Sequence, residues 1–457
     1  MTNQRKNDTA LLQGFYYYLG LVLSKLGSGG LNILSFTIVA ASVSVLDFAD
    51  YATAVAIVSI LSAPAEASEY TYIRVFEKVS VLGKIYITAL VLRIKILFSG
   101  ILLFSVALIL IIHGHFYAFS ERFITILILV IVFSIGSNFV GTFTSALVVH
   151  GRQRALSVIN LIIAATSLLS SLLITPLGGK IAIYLSLQVS AQIVLLLYVS
   201  NVYRKTIKKY VVLSIAHTTH MTGHRRLYGN LFYSSFFPVS ATGLLSVIKN
   251  NFIILIIGTR GDAPILASFA IAKRIYDFFH KGMSGLLDQL FPVISRFEIE
   301  RPSEAESGIL RLFGIRIIAG LLIAGGLIMF FKASSIGDKI TNLSIVAIVS
   351  LNFFITYFVT ISTFVASKYQ PKYILLSSIF TTLVFVFIPY IAANWFIDLM
   401  ASVLSLLVAS IISSLPLGYW AYKQMKYNRV FAVFLSTNIL FLIAGFGIAA
   451  GFFHFDR

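Results

Sequence analysis

Inside otherwise apolar stretches of this chain stand the cations Lys25, Lys249, Lys273, Arg274 and Lys281 and the acids Glu66, Glu69, Asp277 and Asp288. A charge at the centre of a bilayer costs about 3 kcal/mol even on a lenient insertion scale, so each needs a wet cavity, a partner or a route to the interface. The densest group lies in "PILASFAIAKRIYDFFHKGMSGLLDQLFP". At helical spacing, Lys273, Arg274, Asp277, His280, Lys281 and Asp288 fall within a wedge of about 120°, and the rest of the circumference is Phe, Ile, Leu and Ala. Lys273, Asp277 and Lys281 stand at i, i+4 and i+8, so Asp277 pairs with one lysine and leaves a surplus of positive charge. The structural alternative is an ion network that only ties helices together.

Lys249 and Lys273 lie at similar depths on either side of the short loop "GTRGDAP", roughly 15 Å in at 1.5 Å per residue. Asn250 and Asn251 extend that polar patch. Ammonium and guanidinium groups gathered at mid-membrane suit phosphate or carboxylate rather than a cationic ligand. Lys25 shares a polar stripe with Tyr18, Ser28 and Asn32, which favours a cavity; alternatively the span is 26–46 and Lys25 snorkels to the interface. Glu66 and Glu69 share a face with Ser59 and Ser62, directly after Pro64, which bends a helix. Paired acids in a bent, low-dielectric helix suit proton coupling. Compensation of Lys25 or Lys281 is the competing role.

The elements that must position these groups follow from composition. The chain has 457 residues, 58% hydrophobic and only 11% charged, against about 25% charged in an ordinary globular domain. An all-α polytopic membrane protein is expected. Apolar runs predict thirteen spans, near 15–45, 49–72, 96–113, 123–149, 155–176, 181–203, 229–258, 264–292, 312–331, 340–366, 373–394, 399–422 and 430–453. The polar start "MTNQRKNDTA" has no small-residue cleavage site, so no removable signal peptide is expected. The absence of cysteine excludes disulfides and thiolate chemistry.

A net charge of +18 would otherwise suggest nucleic acid. Most of the 35 lysines and arginines, however, occupy alternate connections, among them Arg74, Lys78, Lys84, Arg93, Lys95, Arg204, Lys205, Lys208, Lys209, Arg225 and Arg226. The opposite connections hold few, such as Arg122, Lys180 and Arg260. This is the positive-inside pattern, with a cytoplasmic N-terminus and no nucleic-acid partner. No metal-ligand spacing, phosphate-binding glycine loop or nucleophile motif occurs, and no cofactor is expected. His113 and His115 near Glu121 read as a solvated turn, and the short outer connections leave little room for a membrane enzyme's site.

The pattern also repeats. "ADYATA" at 49–54 is echoed by "ASFAIA" at 267–272, and "GRQRAL", which opens the span ending at Pro176, by "SKYQPKY", which opens the span containing Pro389. The offsets agree to within a few residues. They imply a bundle of six helices at 1–203, a basic cytoplasmic connector at 204–228, a second six-helix bundle at 229–422 and an additional segment at 423–457.

With its two halves, the aromatic-Ala signature, "LFPVISRF" and "LSKLGSGG", the chain resembles the O-antigen type polysaccharide flippases of the multidrug/oligosaccharidyl-lipid/polysaccharide (MOP) exporter superfamily. The resemblance implies twelve core helices in two bundles around a central cationic cavity. It further implies a monomer in the bacterial inner membrane that moves undecaprenyl-pyrophosphate-linked oligosaccharide from the cytoplasmic to the periplasmic face by alternating access. Membrane lipids and the polysaccharide polymerase machinery are the implied partners. Ser24 and Lys25 match the position where related lipid-precursor flippases carry a cavity-facing basic residue. The departure is the thirteenth span, since twelve is usual. A multidrug exporter of the same superfamily and a membrane enzyme of polysaccharide assembly are the alternatives.

Overall fold

A computed structural model describes residues 27–28, 30–32, 34–76, 81–116, 120–149, 153–215, 221–259, 262–277, short helical stretches between 306 and 332, 345–351, 371–395, 399–425 and 428–449. The fold is all-helical, as the composition requires. The long helices are α1 (Val45–Phe76), α2 (Val81–Phe116), α3 (Glu121–Val149), α4 (Gln153–Ile174), α5 (Ile181–Ile215), α6 (Met221–Thr259), α7 (Pro371–Trp395), α8 (Leu399–Met425) and α9 (Asn428–Ala449). Among the described residues, eight helices are long and apolar enough to cross a membrane, including the additional C-terminal one at Asn428–Ile448. The expected spans at 264–292, 312–331 and 340–366 lie largely outside the described residues.

Local chemistry sets the helix ends. Ser44 caps α1, its Oγ accepting from the Asp47 N–H at 3.1 Å, with Asp47 in the first turn. Ser120 caps α3 in the same way through Phe123 N–H at 3.2 Å, with Glu121 following. Both arrangements satisfy orphan N–H groups and oppose the helix dipole. Asp262 caps the helical residues 263–277 through Ile265 N–H at 3.0 Å. After α4 the chain turns on Gly178 and Gly179, both with positive φ. The Gly179 N–H donates to Ile174 O at 2.8 Å, closing the helix. A side chain at Gly179 would also meet the Ser42 carbonyl.

One expectation is corrected. The third span was placed at 96–113, with Arg93 and Lys95 counted among the cytoplasmic cations. Helix α2 instead starts at Val81, its apolar stretch runs over Tyr86–Ile111, and Lys95 is fully buried inside it. A charge-free criterion stops at these cations; the helix continues because Lys95 has partners within the fold. The basic connector expected at 204–228 is helical over most of its length, since α5 runs to Ile215 and α6 starts at Met221.

The chain packs as two compact units, Met1–Val43 with Pro64–Val239 and Ser44–Ala63 with Ser240–Arg457. Of the three changes of unit, one falls between Val43 and Ser44, just before α1, and two fall inside α1 and α6, at Pro64 and one residue after Pro238. Proline removes an intrahelical hydrogen bond and bends a helix, so each helix has two halves that pack separately. In the first unit, Tyr72, Val75, Ile87, Leu90, Val91, Ile94, Phe232 and Phe236 form a core. In the second, α8 packs against α9 through small residues: a methyl at Gly418 would strike the Phe434 ring, and one at Gly445 the Leu407 side chain. Ser405, Ser413 and Ser414 of α8 return their hydroxyl protons to carbonyls of the preceding turn. Small residues and self-satisfied hydroxyls are how helices meet closely where water is absent.

Candidate functional site

Ionisable residues inside the apolar helices occur in both units, joined into one network in the first and placed on separate helices in the second. The network is built on α1, α2 and α3. Glu69 lies five residues past Pro64, and its Oε1 accepts a charge-assisted hydrogen bond from Lys95 Nζ at 2.5 Å. Lys95 Nζ also donates to Asn138 Oδ1 at 3.3 Å, and Ser145 Oγ donates to Glu69 Oε2 at 3.4 Å. Asn138, Gly141 and Ser145 stand at i, i+3 and i+7 of α3, one face of the helix. Gly141 leaves the room the carboxylate occupies, because a methyl there would overlap all three of its heavy atoms. The Lys95 side chain has no exposure and that of Glu69 22%.

A second rung joins α1 and α2: Thr88 Oγ1 donates to the buried Tyr72 hydroxyl at 3.0 Å. Partner numbers fall along α2 as they rise along α1, so the two helices run antiparallel. Glu66, one turn before Glu69, is more exposed, yet it lies close enough for its charge to act on Lys95 as well. Isolated carboxylates and ammonium groups cannot stay charged in a dry interior; paired and hydrogen-bonded, they can.

The other residues belong to the second unit. Lys249 of α6 is half-buried, with Nζ 5.4 Å from the centroid of the Phe385 ring on α7. One turn earlier, Thr382 Oγ1 donates to Leu245 O at 3.2 Å and fixes the same pair of helices. On the helical residues 263–277, Lys273 Nζ donates to Asp277 Oδ2 at 2.7 Å, with 21% and 44% of the two side chains exposed. Arg274 and Asn250 are exposed. The Tyr276 hydroxyl is hydrogen-bonded to Ser350 Oγ in the buried interior, which orients this helix. Among the described residues neither Lys249 nor Arg274 has a carboxylate partner, and Asp277 is spent on Lys273. An aromatic face stabilises an ammonium by about 0.5–2 kcal/mol without neutralising it.

Lys25, Lys281 and Asp288 lie outside the described residues. Lys95, Asn138, Gly141 and Ser145 were not singled out from sequence. The available signal was the charge-free run "IYITALVL" before Arg93, which extends a span backward past Lys95. Among the described residues no cluster of His, Cys, Asp and Glu could hold a metal ion.

No family model matches the sequence, and no curated protein matches it. Solved structures do. The chain is similar to the inward-facing conformation of a multidrug resistance MATE family transporter of the MOP superfamily, with TM-score 0.60 and 12% identity over 89% of this chain and 94% of that one. It is equally similar to the lipid II flippase MurJ in an inward closed conformation, with TM-score 0.60 and 16% identity over 95% and 98% of the two chains. A substituted variant of the Vibrio cholerae MATE transporter VcmN gives TM-score 0.59 and 13% identity over 91% and 97%. The chain therefore has the MATE- and MurJ-like polytopic membrane fold.

Proposed function

We propose that this protein is a MOP-type transporter of lipid-linked anions, moving an undecaprenyl-pyrophosphate-linked oligosaccharide from the cytoplasmic to the periplasmic face of the bacterial inner membrane, with its N-terminus in the cytoplasm. The observation that carries this reading is Lys249, a half-buried lysine inside an apolar helix that faces an aromatic ring instead of an acid. A retained positive charge at that depth is costly unless a ligand repays it, and a pyrophosphate does so best. Lys273, Arg274 and Lys281, with Asn250, would complete the anion's surroundings. Asp277 and Asp288 would set the local charge balance. A sugar and pyrophosphate head group is too polar for hydrocarbon, so a wet vestibule would carry it while the polyprenyl tail stays in lipid. Rocking of the bundles would then change access from one face to the other. Release of the lipid to a polymerase would follow on the periplasmic side.

The multidrug resistance transporter among the structural neighbours supports a second reading, export of small amphiphiles. A cationic compound, however, would meet the surplus positive charge of the second unit. Titration of the protein in nanodiscs separates the two. A polyprenyl pyrophosphate should bind, and Lys249→Met should weaken it by about tenfold or more, the loss expected for one charged contact of about 1.5–3 kcal/mol. Tight binding of a cationic dye with no binding of the pyrophosphate lipid would reverse the assignment.

A further inference from the structure

The Glu69 network supplies two of the oxygen donors that a monovalent cation takes: a carboxylate oxygen and an amide oxygen converge on one point, and a hydroxyl anchors the second carboxylate oxygen. The point is occupied by Lys95 Nζ, delivered by a side chain with no exposure. An ammonium group and a potassium ion are similar in size and charge, and both take hard oxygen donors. Gly141 is the second mark of a built site, since the α3 backbone must lack a side chain there for the carboxylate to fit.

We propose that Lys95 is a tethered cation that fills an alkali-ion site within the first unit, and that removing its ammonium turns the same oxygens into a site for Na+ or K+. Glu69 then serves to hold Lys95, and neither a soluble cation nor a proton is needed at this point of the transport cycle. The inference concerns one unit and does not depend on the anionic substrate proposed above.

The test uses the purified full chain in nanodiscs, with thermal unfolding followed in NaCl, KCl, ammonium chloride or N-methyl-D-glucamine chloride at constant ionic strength. The wild type should respond alike to all four. Lys95→Ala should melt several degrees lower in N-methyl-D-glucamine chloride and recover saturably with one of the small cations, as a site linked to folding requires. Adding Glu69→Gln should abolish that recovery. A saturable, ion-selective shift in the wild type would overturn the proposal, because the site would then take an ion alongside Lys95. Recovery of Lys95→Ala by lower pH and by no metal or ammonium ion would also overturn it, since Glu69 would be taking a proton. If Lys95→Ala does not accumulate in the membrane, the double variant Lys95→Ala/Glu69→Ala decides. Accumulation near the wild-type level with no ion selectivity supports a site defined by the two charges. A double variant as depleted as the single one would make the pair mere packing.

Discussion

Replacing Gly141 by alanine tests the geometry of the first unit with a single methyl group. Built on the α3 backbone, that methyl lies 2.8 Å from both Cδ and Oε2 of Glu69 and closer still to Oε1. Three atoms of a rigid, planar carboxylate are involved, so a small rotation cannot clear them all. Overpacking of this kind costs about 1–3 kcal/mol. If Glu69 swings away, Lys95 loses the carboxylate it is hydrogen-bonded to while itself having no exposure. Breaking a buried pair costs about 3–5 kcal/mol, and the 22% exposure of Glu69 places the loss at the lower end. A helical glycine-to-alanine change otherwise stabilises by about 0.5–1 kcal/mol. The net expectation is a destabilisation of about 2–3 kcal/mol, or about 4–12 °C in Tm for a unit of this size. Gly100→Ala is the control, because nothing lies within 4 Å of a methyl there; it should be neutral or slightly stabilising. Thermal unfolding of the purified proteins reads both. Equal Tm for Gly141→Ala and Gly100→Ala would refute the placement of Glu69 against α3.

Other perturbations bear on the second unit and on orientation. Tyr276→Phe removes the buried hydrogen bond to Ser350 and leaves that hydroxyl its bond to Val346 O, so a loss of only about 1 kcal/mol is expected; a loss several times larger in chemical unfolding would mean that the tyrosine does more than orient its helix. Phe385→Leu withdraws the ring beneath Lys249 and should weaken pyrophosphate-lipid binding less than Lys249→Met does, whereas the reverse order would assign the recognition to the ring. Arg274→Lys should restore only part of the binding lost in Arg274→Ala, because the two-pronged fork is missing; full restoration would reduce Arg274 to a point charge. A topology reporter after Gly223 should read cytoplasmic and one after Gly261 periplasmic, and swapped readings would reverse the proposed orientation.

Much of the architecture was legible because bilayer burial writes itself into composition. Long apolar runs are local features and were read directly; the caps at Ser44, Ser120 and Asp262 are equally local but were not singled out from sequence. The additional helix at Asn428–Ala449 was also visible, since no charged residue follows Arg429 within it. The Lys273–Asp277 pair was readable from its i, i+4 spacing on one helix. Lys95 was not, because its partners lie 26 and 43 residues away on two other helices. A buried charge looks like a loop charge until the residue that compensates it is known. For the same reason Glu69 was considered against Lys25 and Lys281 but not against the lysine it meets. The role of Gly141 was also hidden, for a glycine's purpose here is the absence of a side chain facing a distant carboxylate.

Translocation itself tests the central claim most directly. The protein is reconstituted into proteoliposomes containing a polyprenyl pyrophosphate that carries a short fluorescent oligosaccharide, and a membrane-impermeant reductant quenches the outward-facing label. With wild type, flipping should bring the whole label pool within reach of the reductant. With Lys249→Met at equal protein density, the inner pool should stay protected. Protection of the inner pool by wild type, in vesicles where the same preparation moves a cationic dye, would contradict the account.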